Sequence, residues 1–253
     1  MLPGGVEARL GKFLVPAGFL NQIHAHDWPM VEPPLAFELF FDDEGWSERG
    51  ISFSKYFNLG NKSILKAHAN ILDGKSDELF NDAQTRVYGT RLAIESPLND
   101  NDDLRLGLNY HEGAWNPRGD LYSRVYGADL MLRRRFSLYD RLVLWGEWFW
   151  NEREQLNTSS FTTNSYYMSA MYKFRNVRDW HVGVMHNFAQ RPDDKSANYV
   201  SNSAYVGYWL TENDRLQFEF RRTADGFNRE TNNEIMLQFI WGFGPHRPHL
   251  IHF

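Results

Sequence analysis

The sequence predicts an all-β fold, an antiparallel up-and-down transmembrane β-barrel with about 12 visible strands. Three observations lead to this prediction. Runs of residues alternate between apolar and polar side chains, the connections between runs alternate between short and long, and aromatic residues concentrate at the run ends. The runs have about 9–13 residues, which suits a tilted strand that crosses hydrocarbon, whereas strands of soluble proteins are usually shorter.

Composition excludes several other classes. Lys and Arg total 27 and Asp and Glu total 32, so the net charge of −5 argues against a nucleic-acid partner. The chain has no cysteine, which excludes a disulfide scaffold and thiol chemistry and fits an oxidising compartment. No run approaches 18 consecutive apolar residues, so no transmembrane helix is predicted.

The order of the predicted strands follows from the alternating runs and the turn residues between them. Gly, Asn, Asp and Ser fill the connections, as turn geometry requires. The predicted strands are 5–13, 50–58, 62–72, 85–96, 103–113, 121–136, 141–152, 164–175, 180–190, 199–211, 215–223 and 233–243.

The connections predict a barrel with two unlike ends. The short ones are 58–61, 97–102, 137–140, 176–179 and 211–214, and the long ones are 14–49, 73–84, 114–120, 153–163, 191–198 and 224–232. Outer-membrane barrels have short periplasmic turns and long external loops. We therefore expect the short connections, and both ends of the strand series, on the periplasmic side.

Alternation by itself does not determine which side of the sheet faces outward. From Leu142 to Trp150, the even positions are apolar or glycine and the odd positions include Glu147. A soluble barrel or sandwich would turn the apolar side inward, and a membrane barrel would turn it outward. Aromatic residues at the run ends favour the membrane barrel, whose interfaces carry aromatic girdles: Trp148, Trp150, Tyr172, Phe174, Trp180, Tyr208, Trp241 and Phe243.

The end of the chain resembles that of Gram-negative outer-membrane β-barrels. Ile235 to Phe243 alternate cleanly, Gly244-Pro245 interrupts, and the chain closes on Phe253. A terminal aromatic residue resembles the signal that the barrel-assembly machinery recognises. The resemblance implies a location in the outer membrane, with the lipid bilayer and the assembly machinery as partners.

A narrower resemblance lies near the start of the chain. Residues 10–28, Val31-Glu-Pro-Pro and Gly244–His249 are similar to porin-like proteins described as zinc-regulated and TonB-linked, and the Gly-Lys-Phe and Pro-x-Gly elements to the phosphate-selective porin superfamily. Such relatives are usually longer at the N-terminus. Residues 1–253 are therefore expected to be a single barrel domain, either whole or the C-terminal part of a larger barrel.

The polar face of the strands predicts a lumen with mixed charges, in which cations slightly outnumber acids. The function hypothesis is a porin-like channel for passive or gated passage of small solutes or ions, with a weak anion preference. The alternative is a non-conducting barrel that binds a metal or a partner through its long loops. The predicted pore-lining residues are Arg105, Arg133, Glu147, Lys173, Glu219 and Arg221.

The 14–49 connection is too long for an ordinary turn, and such loops are usually functional. We expect it to fold into the lumen as a constriction or plug; an external cap is the alternative. His24, His26 and Asp27 could supply two imidazoles and a carboxylate to zinc or copper. They are expected near the external side, away from the periplasmic His246, His249 and His252.

Catalysis is not expected. Strand histidines (His111, His181, His186) and serines (Ser123, Ser169, Ser203) are present, but no Gly-x-Ser-x-Gly motif accompanies them. Small solutes or ions complete the expected partners, and a homo-oligomer remains open because no sequence feature marks a subunit interface.

Overall fold

The computed structural model describes residues 3–60, 62–80, 85–156, 158–175, 179–211 and 214–242. In these ranges twelve strands form one antiparallel sheet in chain order, which confirms the predicted up-and-down topology. The strands are β1 (Val6–Leu14), β2 (Ser47–Asn58), β3 (Ile64–Leu72), β4 (Val87–Pro97), β5 (Asp102–Ala114), β6 (Tyr122–Arg135), β7 (Arg141–Gln155), β8 (Thr158–Arg175), β9 (Asp179–Arg191), β10 (Asp194–Trp209), β11 (Arg215–Asp225) and β12 (Thr231–Ile240).

Two predicted long connections are wrong. Residues 153–163 and 191–198 mostly continue the strands, so that β7 reaches Gln155 and β8 begins at Thr158. The Thr- and Ser-rich sequence of 153–163 and the Pro-, Asp- and Asn-containing sequence of 191–198 are both typical of loops. Yet Thr is a good strand former, and cross-strand pairing between β7 and β8 extends to Gln155 and Thr158.

The two faces of the sheet have opposite chemistry. In β4 to β11 the odd-numbered side chains point to one side, which we call the inner face because a long loop packs on it. The even-numbered side chains form the outer face, and they include Leu108, Leu130, Trp148, Val184 and Phe218, all of them exposed. Polar residues inside and apolar residues outside is the pattern of a membrane barrel.

Aromatic contacts form two bands on the outer face. Near the long connections, Tyr110 packs on Tyr126 and Trp148 stacks on Trp150, with both pairs of ring centroids 5.2 Å apart. Near the short turns, the centroids of Trp180 and Tyr208 are 4.3 Å apart and Phe136 contacts Tyr172. Aliphatic side chains fill the space between the two bands. These bands correspond to the predicted aromatic girdles.

Strands β1 and β12 are the edges of the sheet. The outward side chains of β12 are highly exposed, with Ile235 at 74% and Leu237 at 71%. Among the described residues, no helix has the length and apolar character needed to cross a membrane.

The long loop between β1 and β2, residues 15–46, is called the inner loop here. It contains two short 3₁₀ turns, at Leu20–Gln22 and Ala25–Asp27, and helix α1 (Leu35–Phe41). A second inward segment carries the short helix α2 (Asp77–Phe80). Together they place a buried aromatic core inside the curved sheet, whose members include Phe37, Phe40, Phe41, Trp46, Phe80 and Phe149.

Candidate functional site

The inner loop runs along the inner face from one end of the sheet to the other. It starts where Leu14 pairs with Ser47, at the end that carries the long connections. Its middle reaches Arg215, the first residue of β11, whose Nη2 donates to the carbonyl oxygen of His26 at 2.7 Å. The prediction that the loop folds inward is therefore confirmed.

The predicted position of His24 and His26 near the external side is wrong. They lie at the short-turn end, because the loop descends along the whole inner face before it returns. Sequence connectivity gives only the end at which the loop starts and finishes, and it does not reveal how far the loop descends. The other histidine group, His246, His249 and His252, lies outside the described residues.

The upstream arm of the loop, residues 15–23, is attached through backbone N–H groups. Gly18 N–H donates to Asn109 Oδ1 at 3.0 Å. The N–H groups of Phe19 and Leu20 both donate to Glu147 Oε1, at 2.9 and 2.5 Å. One oxygen of this buried carboxyl group thus accepts two consecutive backbone donors.

The downstream arm, residues 26–38, is attached by more side chains. The N–H groups of Val31 and Glu32 donate to Glu219 Oε2 at 3.0 and 3.2 Å. Arg221 Nη2 donates to the Pro33 carbonyl oxygen at 2.8 Å. Further contacts to loop carbonyls come from Arg215, Gln217 and His181.

The two sides of the inner face differ in exposure. We call the inner face of β7–β11 the covered wall, because the loop packs on it and leaves Glu147 3% exposed and Glu219 fully buried. We call the inner face of β1–β4 the open wall. There Glu7 and Arg9 are exposed, and Lys66 and His68 are partly exposed. Accessible space inside the sheet therefore lies between the loop and the open wall.

The accessible charged side chains of the open wall are Arg9 and Lys66, which are cationic, and Glu7 and Glu95, which are anionic. Arg9 lies over the ring of Phe13 at 5.8 Å, and Lys66 lies over Tyr56 at 5.0 Å. The charges that act on His68 are all cationic: Lys66, Arg91, Arg9 and Arg105. Contacts with aromatic faces position such cations without neutralising their charge.

A buried ion pair joins β4, the last strand of the open wall, to β6. Arg91 on β4 donates to both carboxylate oxygens of Asp129 on β6, at 2.6 and 2.9 Å. Gly107 on β5 lies between them, and a Cβ there would be 2.4 Å from Arg91 Nη2 and 2.3 Å from Asp129 Oδ2. Both residues occupy inward positions of their strands, but no sequence pattern indicates this pairing.

All six predicted pore-lining residues lie on the inner face, but in different environments. Arg105 is partly buried, with its guanidinium 4.6 Å from the ring centre of Phe19. Arg133 forms an ion pair with Glu95 at 2.9 Å. Lys173 is partly buried near the short-turn end, and the other three are buried against the loop: Glu147, Glu219 and Arg221. That these residues line a pore stays a prediction.

Sequence reasoning missed several residues that attach the loop. These are Gly18 on the loop and Asn109, His181, Arg215 and Gln217 on the wall. The wall residues occupy inward positions of their strands, so alternation could have identified them as inner-face residues. Their partners are backbone atoms of the loop, for which the sequence carries no side-chain signal.

The loop carboxyls of Glu32 and Glu38 have raised pKa values. Burial is the main cause in both cases, and it is partly opposed by the attraction of Arg221. Glu38 Oε2 lies 3.8 Å from Arg221 Nη1. Glu219, Asp43 and Glu234 also raise the pKa of Glu32 by repulsion.

The predicted metal ligands are neighbours at the tip of the loop. The rings of His24 and His26 are stacked with centroids 5.5 Å apart, and His26 Nε2 lies 3.6 Å from Asp27 Oδ2. Within the described ranges, no three His, Asp or Glu side chains are arranged to hold a metal ion. Zinc binding at the tip stays a prediction.

Strand histidines contact groups other than serine among the described hydrogen bonds. His181 Nε2 bonds to the Pro29 carbonyl oxygen at 2.8 Å, and His186 Nδ1 to Asn202 Oδ1 at 2.8 Å. Ser169 and Ser123 bond instead to Tyr205 and Asn151.

The structure is similar to that of an anion-selective porin from Comamonas acidovorans. The TM-score is 0.61 at 16% identity, and the match covers 94% of this chain and 75% of the porin. A second similar structure is the CymD monoaromatic hydrocarbon channel, with a TM-score of 0.43, 12% identity, and coverage of 79% and 74%. The first likeness, with the 12-stranded sheet, shows an outer-membrane porin-like β-barrel fold.

Sequence comparison gives a relative but no family. No protein-family model matches the chain. An uncharacterized protein of Aquifex aeolicus (strain VF5) is 24% identical over 292 aligned positions, which cover 98% of this chain and 61% of the relative. The chain therefore spans about three fifths of the length of that relative.

Proposed function

We propose that this chain forms a porin-like channel in the cell outer membrane for passive passage of small solutes or ions. The observation that carries the proposal is the unequal exposure of the inner face. The loop packs on the covered wall, while Glu7, Arg9, Lys66 and His68 of the open wall remain exposed or partly exposed. A barrel filled for stability alone would bury both walls.

The pathway that we propose runs between the inner loop and the open wall, where Arg9 and Lys66 supply positive charge, Glu7 supplies negative charge, and Glu95 is paired with Arg133. Selectivity in wide pores follows the charges that line the narrow region. We therefore expect a preference for anions. The similar porin from Comamonas acidovorans is named as anion-selective, which agrees with this expectation.

Among the predicted pore-lining residues, we assign two different roles. Arg105, Arg133 and Lys173 contribute to the field along the path. Glu147, Glu219 and Arg221 act mainly by holding the loop that narrows it. We propose no catalytic role for these residues. The proposed partners are the lipid bilayer, the assembly machinery and other copies of the chain.

The test is single-channel conductance of purified protein in a planar bilayer, with a salt gradient to measure the reversal potential. We expect discrete current steps and a reversal potential whose sign indicates anion selectivity. Steps with a reversal potential that indicates cation selectivity would contradict the assigned pathway. No steps from protein shown to be inserted would contradict conduction.

A second candidate is a non-conducting barrel that binds a partner through its loops. The packed aromatic core inside the sheet favours it, since Phe37, Phe40 and Phe80 fill part of the interior. The same bilayer experiment separates the two candidates, because the second predicts a silent membrane.

A further inference from the structure

We propose that Glu147 is the residue that positions the upstream arm of the inner loop and thereby sets the width of the passage. The inference rests on the proposed function, because the passage is the space between this loop and the open wall. In this inference Glu147 holds the loop in position, and its charge does not act directly on solutes.

The two arms of the loop are attached very unequally. The downstream arm contacts Glu219, Arg221, Arg215, Gln217 and His181 and is continuous with the packed helix α1.

The upstream arm makes fewer described hydrogen bonds to the strands, although its apolar side chains pack in the core. Its backbone bonds to the strands go to Asn109 and Glu147, and Arg105 lies over the ring of Phe19. Asn21 bonds within the loop, to the carbonyl oxygens of Val15 and Trp46. Glu147, which accepts two of the backbone donors, is therefore the main hydrogen-bond acceptor that holds the backbone of this arm to the strands.

Glu147 and Gly18 are shaped for one another. The backbone of Gly18 has a φ of +78°, and a Cβ there would lie 2.0 Å from Glu147 Oε2. Glycine is therefore required both for the backbone conformation and for the close approach of the carboxylate. This close fit brings the N–H groups of Phe19 and Leu20 to the other carboxylate oxygen.

Loss of the carboxylate should release the arm toward the passage. The N–H groups of Phe19 and Leu20 would lose their acceptor in a buried place, which is costly, whereas water on the other side of the loop can accept them. The arm would then move from the covered wall into the passage. We expect a lower mean current with frequent brief closures.

The first measurement does not depend on conduction. The chain has no cysteine, so Leu20→Cys introduces a single thiol at a fully buried position. In Glu147→Ala/Leu20→Cys we expect labelling by a water-soluble maleimide to be about tenfold faster or more than in Leu20→Cys alone. Equal labelling rates would overturn the proposal, whatever the bilayer recordings show.

Matched variants separate positioning from charge. Glu147→Gln keeps an acceptor oxygen and should restore much of the protection of the thiol. Glu95→Ala removes another inner-face carboxylate, one that bonds Arg133 and makes no described bond to the loop, and should leave the labelling rate unchanged. Faster labelling in Glu95→Ala, equal to that in Glu147→Ala, would show a general loss of packing and overturn the specific role.

A double-mutant cycle tests the pairing with Gly18. Gly18→Ala should accelerate labelling as Glu147→Ala does, and the double variant should be no faster than either single variant, because both remove the same attachment. If the increases in labelling rate of the two single variants multiply in the double variant, Gly18 and Glu147 act independently, which would contradict the pairing.

Discussion

The open wall and the covered wall are built from the same alternating pattern, yet their polar side chains have different partners. On the covered wall, Glu147 and Glu219 each accept two backbone N–H groups of the inner loop and are almost completely buried. On the open wall, Arg9 and Lys66 contact aromatic rings and remain accessible. Inward polarity alone therefore does not identify a residue that meets solutes.

The difference has a physical basis in desolvation. A buried carboxylate is stable only when donors compensate the loss of water, and backbone N–H groups of the loop provide them on the covered wall. A cation that lies over an aromatic face keeps its charge and much of its hydration. The net field in the passage should therefore come mainly from the open wall.

Removal of the inner loop should have the largest effect on the difference in accessibility between the covered wall and the open wall. Leu14 pairs directly with Ser47, so residues 15–46 can be replaced by Asn-Gly, a sequence that favours a two-residue hairpin turn. We expect a several-fold rise in single-channel conductance, because the covered wall becomes accessible. Unchanged conductance in a folded variant would show that the loop does not narrow the passage.

Breaking the buried ion pair between β4 and β6 should reduce stability strongly. Arg91→Ala leaves Asp129 buried without its partner, and we expect the free energy of unfolding to fall by about 3–5 kcal/mol. Urea unfolding in detergent or lipid measures it. Arg133→Ala, which breaks the more exposed pair with Glu95, is the control and should cost about 0–1 kcal/mol. Equal losses would show that burial of the first pair is unimportant.

Charge reversal on the open wall should change selectivity without changing the loop. Arg9→Glu/Lys66→Glu should shift the reversal potential from anions toward cations, because selectivity follows the lining charges. Lys12→Glu is the matched control for Arg9→Glu: it lies on the same strand at an outward position. An equal shift in the control, or none in the double variant, would place the passage elsewhere.

Acidic pH should cause the smallest effect, through Glu32 and Glu38. Their raised pKa values mean that they bind protons above the usual glutamate range near pH 4.5, so the folded loop gains stability as pH falls through that range. The loss of two negative charges should also increase anion preference modestly. Reversal potentials between pH 7 and pH 5 test this, and Glu32→Gln/Glu38→Gln should remove the response.

How much of the molecule could be predicted depends on the range of the interactions. Strand positions follow from neighbours in sequence, and the prediction of twelve strands, two aromatic bands and a polar inner face is confirmed. The error at 153–163 arose where polar strand formers look like loop residues, and at 191–198 the strands continue through a sequence of turn-forming residues with a shift in register. There, cross-strand pairing outweighs local composition.

The candidate site was only partly visible in the sequence. Alternation placed Glu147, Glu219 and Arg221 on the inner face, and the length of the 14–49 connection predicted an inward loop. The sequence could not show that these three side chains bond to loop backbone atoms far away in the chain. Glu147 and Phe19 are 128 positions apart, and Arg221 and Pro33 are 188 positions apart. Backbone donors and acceptors are the same in every residue, so such pairings leave no pattern to read.

The sequence by itself determined the strand order, the outward apolar face and the inward polar face, because a period of two fixes the face of every side chain. Only the tertiary structure decided how far the loop descends, that His24 and His26 lie at the short-turn end, and which inner charges remain accessible. These features depend on contacts between segments distant in the chain. Their energies come from burial and hydrogen bonding that exist only once the sheet has curved around the loop.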